Sequence, residues 1–212
     1  MKSDLLRDSD DQVRLEAVLT LALAPMNASV IESLAAAMND ASEPVRVAAR
    51  AGLRDAWDRH SLAVQPLIAR ALSGGRWRET EQAAILAGEL NAVAAAEQLA
   101  SLLEAERAEV RLAASTSLRQ LNRKESLPAL FARAEVLTAA ASESANVPER
   151  LNAEAQELAQ IFMAFAQQRH AAAAELLKKY IPKRTRFHPL ARGAAIYALG
   201  KIFEAKPTPA LA

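Results

Sequence analysis

Four arginines stand in the same local frame. Arg14, Arg46, Arg111 and Arg192 each follow an apolar residue (Val13, Val45, Val110 and Ala191), and each is followed by an alanine three positions on and a leucine seven positions on. A guanidinium is a planar fork of donors, so a row of them could clamp carboxylates or phosphates, or could reach main-chain carbonyls and acids in a neighbouring loop. Position favours the second use. An Arg beside a buried Val lies close to loop residues such as Asp10 and Asp40, and the four are expected to form a structural ladder that locks successive units together. A second group comprises Lys178, Lys179, Lys183, Arg184 and Arg186, with Tyr180, Phe187 and His188 interleaved. Such a cluster suits phosphate, nucleic acid or an acidic protein surface; the competing reading is a solvated loop whose cations complement the negative end of the helix finishing at Tyr180. Trp57, beside Asp55 and Asp58, and the Arg76-Trp77-Arg78 segment are the remaining conspicuous residues.

Several chemistries find no residues to carry them. The chain has no Cys, and His60, His170 and His188 are scattered, so neither a thiolate site nor a transition-metal centre is expected. Ser73-Gly74-Gly75 lacks the spacing and the Lys of a phosphate-binding loop. Nothing points to a Ser-His-Asp arrangement, and no cofactor and no enzymatic activity are expected. No apolar segment follows Met1-Lys2 and no apolar run approaches a membrane span, so a soluble, cytoplasmic protein is expected, with no membrane partner.

The elements that position these residues form a repeat. The Val-Arg frame recurs at 13, 45, 110 and 191, and two weaker copies, around Gln82 and Arg150, keep the periodic leucines alone. The steps are 32 (13 to 45), 37 (45 to 82), 28 (82 to 110), 40 (110 to 150) and 41 (150 to 191). Periods of this size mark solenoids, in which each unit packs on its neighbours. Hydrophobic residues make up 51% of the chain and aromatics only 4%, so small side chains must let helices approach closely. Helices are expected from Gln12 to Ala24, Ala28 to Met38, Pro44 to Trp57, Leu62 to Leu72, Arg78 to Leu90, Val93 to Leu103, Glu109 to Leu121, Ser126 to Ala141, Pro148 to Gln168, Ala171 to Tyr180 and Pro189 to Phe203. The fold class expected is all-α, a right-handed α-solenoid of about six helix pairs over residues 1–203. The Pro-containing residues 204–212 read as a tail or linker. The segment Asp4-Leu5-Leu6 reads as the last turn of a helix whose beginning is missing. Charge is polarised along the array: residues 1–106 hold 10 Lys/Arg and 16 Asp/Glu, a net of −6, while residues 107–212 hold 16 and 9, a net of +7. Such polarity steers charged partners to one end.

Asp10 with Val13-Arg14, Asp40 with Val45-Arg46, Val110-Arg111, and His188-Pro189 with Arg192-Gly193 and Ala198-Leu199-Gly200 resemble HEAT-like repeats of the short Ala-rich type associated with phycobilisome lyase subunits. The resemblance implies two antiparallel helices per unit, with the Val-Arg at the start of the second and the second helices lining the concave surface. Some HEAT-like proteins are alkylpurine DNA glycosylases that use Trp and Asp on a basic concave face. Here Trp57 reads more simply as a core residue, and the acidic first half repels DNA. Deoxyhypusine hydroxylase is built from similar repeats, but its iron-binding His-Glu pairs have no counterpart. The function expected is a non-enzymatic protein–protein interaction scaffold or regulatory repeat domain, whose partner is a protein or another domain of a longer chain. The alternatives are nucleic-acid or polyanion binding through the basic half, and a lyase or DNA glycosylase on the same scaffold.

Overall fold

A computed structural model describes residues 2–143, 148–182 and 187–204. All regular elements among the described residues are helical: α1 (Lys2–Leu5), α2 (Asp11–Ala22), α3 (Ala28–Ala37), α4 (Glu43–Ser73), α5 (Trp77–Glu89), α6 (Ala96–Ser101), α7 (Ala108–Leu121), α8 (Leu127–Glu143), α9 (Pro148–Gln167), α10 (Ala174–Lys178) and α11 (Pro189–Phe203), with short 3-10 turns between some of them. The contacts divide the chain into two compact units, Met1–Leu121 and Asn122–Ala212. Each is a stack of helix pairs, the α-solenoid architecture.

In the first unit, α2 and α3 pack on α4, α4 on α5, and α5 on α7 with α6 alongside. The core is built from small and branched residues, Val18, Leu34, Val45, Ala49, Leu53, Ala83, Ala84, Leu86 and Ala114 among them, all buried. Gly52 and Gly88 lie at close helix approaches; a Cβ at Gly52 would lie 3.1 Å from Ala22 Cβ and 3.1 Å from Leu34 Cδ1. Ser117 Oγ on α7 donates 2.7 Å to the Ala84 carbonyl on α5, a direct tie between neighbouring helices.

The caps establish the repeat register. Asp10 and Asn27 accept main-chain N–H groups at the starts of α2 and α3, and His188 Nδ1 accepts from Leu190 N at the start of α11. Counted from the first helical residue, Val13-Arg14, Val45-Arg46, Val110-Arg111 and Ala191-Arg192 all occupy the third and fourth positions. The same count in α5 selects Glu79-Thr80, not Gln82. With Glu79 in place of Gln82, the irregular steps of 37 and 28 become 34 (45 to 79) and 31 (79 to 110). The third copy was therefore misread by three residues, because a carboxylate and a hydroxyl occupy the places where the pattern has Val and Arg. Glu79 is 3% exposed and ion-paired to Arg76 at 2.6 Å, and Thr80 Oγ1 donates 2.9 Å to the Ala71 carbonyl.

The two helices expected between Pro44 and Leu72 meet within α4 at a kink: His60 (φ −130°, ψ 25°) is non-helical and lies between the expected end at Trp57 and the expected restart at Leu62.

In the second unit α9 packs on α8 and α11, and α10 on α11. The aromatic residues gather here: Phe162 and Phe165 are fully buried, Tyr180 meets Phe162 edge-on at 5.0 Å, and Phe187 stacks on Tyr180 at 4.1 Å. Helices α5 and α9 end in left-handed corners at Asn91 (φ 50°) and Arg169 (φ 47°), where the following N–H groups turn back onto Ala87 and Phe165 carbonyls at 2.9 Å.

Candidate binding surface

The four arginines of the repeat frame are spent on main-chain carbonyls of the loop that leads into their own helix. Arg14 Nη1 donates to the Asp8 and Ser9 carbonyls (2.8 and 3.2 Å), Arg46 Nη1 to Asp40 and Ala41 (both 3.0 Å), and Arg111 Nη1 to Ala105 and Glu106 (both 2.8 Å). Arg192 reaches back across a longer connection to the Tyr180 and Ile181 carbonyls (3.1 and 3.4 Å). Arg14 also bridges units of the repeat. Arg14 Nε and Nη2 grip both oxygens of Asp40 at 2.8 Å, while the Asp40 Oδ1 accepts the Ser42 N–H at 2.8 Å. Arg46 has no such acid ahead of it, since Gly74 stands where Asp40 stood one unit earlier, and its Nε is buried without a partner. Arg50, which the sequence pattern did not single out, instead pairs with Glu89 at 3.4 Å and hydrogen-bonds Gln82 on the next helix.

Burial alone would push the Asp40 carboxyl up, but the hydrogen bonds from Arg14 and Ser42, with the charges of Arg14 and Arg46, outweigh it and hold the group below its usual value. A carboxyl whose folded-state pKa is depressed stabilises the fold above its unfolded pKa of about 4, and that contribution is lost as falling pH protonates the folded form. Asp40→Asn is therefore expected to melt below the native chain at pH 7 and to converge with it below about pH 4. Thermal scans by circular dichroism across pH 3 to 7 check this, and an equal gap at both ends would refute the assignment.

The basic cluster is only partly described. Lys178 and Lys179 are exposed, Lys178 paired with Glu175 at 2.6 Å; Lys183, Arg184 and Arg186 lie outside the described residues, as do residues 205–212 of the expected tail. The interleaved aromatics are not surface platforms. Tyr180 is fully buried, its hydroxyl 2.7 Å from Thr138 Oγ1, and burial, against that hydrogen bond, pushes its phenol up to about 12. Phe187 stacks on it and His188 caps α11. His170 packs 5.4 Å from Phe165 and 6.1 Å from Phe131, where burial lowers its imidazole pKa. Among the described residues no cluster of His, Asp and Glu has the geometry to hold a metal ion.

Of the two tryptophans, Trp57 differs from expectation. Trp57 is half-buried rather than a core residue, and the hollow of about 640 Å³ beside it is lined by Asp55, Asp58, Arg59 and His60 but not by the indole. Trp77, the first residue of α5, is also half-buried and lines a pocket of about 340 Å³ with Leu72, Thr80, Leu102, Arg107 and Val110. The guanidinium carbons of Arg78 and Arg107 stand 4.7 and 5.2 Å from its ring centroid. An aromatic face flanked by two cations at the mouth of an apolar pocket can take an acidic or aromatic side chain from a partner.

No protein-family model matches the chain, and no curated protein matches it in sequence. Solved structures do. An engineered protein from a structural genomics consortium is 20% identical with a TM-score of 0.51, covering 95% of this chain and 94% of its own. The complex of CpcE and CpcF of phycocyanin lyase from Nostoc sp. PCC7120 is 19% identical with a TM-score of 0.51, covering 96% of this chain, which spans 64% of that one. The fold is that of a HEAT-like helical repeat protein. No helix among the described residues is long and apolar enough to cross a membrane.

Proposed function

We propose that the chain is a non-enzymatic scaffold that presents a preformed surface to a protein partner, with the Trp77 pocket as its anchor point. The observation that carries this reading is the pairing of Trp77 with Arg78 and Arg107 around an apolar pocket. Trp and Arg are the residues over which binding energy concentrates at protein interfaces, and here they are set on helical framework, so little ordering cost accompanies docking. The acidic bias of residues 1–106, net −6, disfavours phosphate backbones at this surface.

Affinity capture from a nuclease-treated lysate of the source organism, with the native chain and with Trp77→Ala, tests the reading. A protein retained in near-stoichiometric amount by the native chain and lost at least tenfold with Trp77→Ala is the expected result. Retention indifferent to Trp77, or dependent on nucleic acid, would overturn it.

A further inference from the structure

Around the Trp77 pocket two guanidiniums have no acid to bind. Arg76 pairs with Glu79 at 2.6 Å, and Arg111 donates to the Ala105 and Glu106 carbonyls. Arg78 and Arg107, by contrast, rest against the Trp77 ring and make no hydrogen bond or ion pair among the described residues. Glu106 is the acid among the described residues lining the pocket, and although it precedes Arg107 in the chain it pairs with neither cation. A guanidinium stacked on an aromatic face keeps its N–H donors at its planar edge, free for an acceptor. The ring also restrains both side chains, so less rotamer freedom is lost when they are engaged.

The pocket itself is walled by Leu72, Leu102 and Val110, of which Leu72 and Val110 are buried. Its volume of about 340 Å³ lies near the lower limit of ligand sites, about 300 Å³, and suits one side chain rather than a folded element. Charge narrows the occupant further. Residues 1–106 carry a net of −6, which repels a chain of phosphates, whereas a lone carboxylate held between two guanidiniums gains more than that diffuse field removes.

We propose that the Trp77 pocket receives an acidic segment of a partner protein: an aliphatic or aromatic side chain enters beside Leu72, Leu102 and Val110, and an Asp or Glu next to it accepts hydrogen bonds from Arg78 and Arg107. This assignment rests on the Trp77 pocket being the anchor point and adds the chemistry of what it anchors. The two parts of the ligand act differently. The apolar side chain supplies affinity that any similar side chain would supply, while the carboxylate supplies selectivity, because a basic residue in its place meets two like charges.

Random peptides displayed on phage, selected on the native chain and counter-selected on Trp77→Ala, test it. The Trp77-dependent peptides are expected to carry Asp or Glu within about two residues of a Leu, Ile or Phe, a reach of roughly 7 Å in an extended chain. A synthetic peptide of the recovered sequence is then titrated against the native chain and variants. Replacing its Asp by Asn or its Glu by Gln is expected to weaken binding at least tenfold. The Arg78→Gln, Arg107→Gln double variant, which removes no hydrogen bond or ion pair within the fold and so keeps its melting temperature, is expected to bind the acid and amide peptides equally. Glu106→Gln is expected to strengthen binding of the acid peptide about twofold. Trp77-dependent peptides that lack acids, or that bind the native chain as well in their amide forms, overturn the carboxylate assignment and leave the scaffold reading standing. Displacement of the peptide by an equal concentration of single-stranded oligonucleotide would give the cations to phosphate and likewise overturn it. A selection that yields no Trp77-dependent peptide overturns it together with the anchor role of Trp77.

Discussion

Valine in place of Gly88 is expected to remove about 3 kcal/mol from the stability of the first unit. A glycine inside a helix ordinarily costs about 1 kcal/mol against alanine, so by propensity alone any side chain should help. The helix contact reverses the sign. A Cβ at Gly88 would lie 2.9 Å from Ser117 Cα and 2.7 Å from Ser117 Oγ, and would also collide with the Gln120 side-chain oxygen. Gln120 can swing away, but Ser117 Cα is backbone of α7 and moves only if α5 and α7 separate. Separation breaks the Ser117 to Ala84 hydrogen bond and opens the packing around Leu86, Ala87 and Leu118. Even Gly88→Ala should destabilise. Gly200→Ala, where a Cβ meets nothing within 4 Å, is the control and should gain up to about 1 kcal/mol. Urea unfolding followed by circular dichroism separates these outcomes; a Gly88→Val chain as stable as the native one would mean that the helices do not approach this closely.

Methionine in place of Arg133 is expected to cost the second unit about 3 kcal/mol. Arg133 on α8 grips both oxygens of Glu157 on α9, at 2.6 and 3.1 Å, and the Glu157 side chain is 2% exposed against 15% for the arginine. The loss follows from what remains behind. Without the guanidinium, a carboxylate deep in the α8–α9 packing keeps its desolvation cost with less compensation, which is why breaking a buried pair hurts more than its formation helped. Arg133→Lys keeps the charge and loses the two-pronged geometry, so its stability should fall between the native chain and Arg133→Met. Equal losses for lysine and methionine would show that the charge contributes nothing.

Helix starts were legible where a Pro precedes the repeat frame: Pro44 and Pro189 each lie within a residue of the observed boundary. The register failed at Glu79-Thr80, since the structural role there is filled by an ion pair and a hydroxyl that share no composition with Val-Arg. The break in α4 was legible: helices were expected to end at Trp57 and resume at Leu62, and the helical geometry fails at His60 between them. Arg50 escaped notice because its partners, Gln82 and Glu89, sit one unit away and only the fold brings them together. Gly88 was silent for the same reason, its importance residing wholly in α7. Of the surface, the Trp77 cluster was visible as Arg76-Trp77-Arg78, but Arg107 enters only through space.

The side-chain hydrogen bonds that join one helix to another in the first unit span short stretches of chain, 9 residues for Thr80–Ala71, 25 for Gln98–Ser73 and 38 for Arg70–Glu32. A ribosome adds about 5 to 20 residues per second, so these helices wait at most about 8 s for the partner to be synthesised. The amino-terminal layers can thus close while the carboxyl-terminal ones are still being translated, and each layer as it forms offers its fresh apolar face to the next helix rather than to a chaperone.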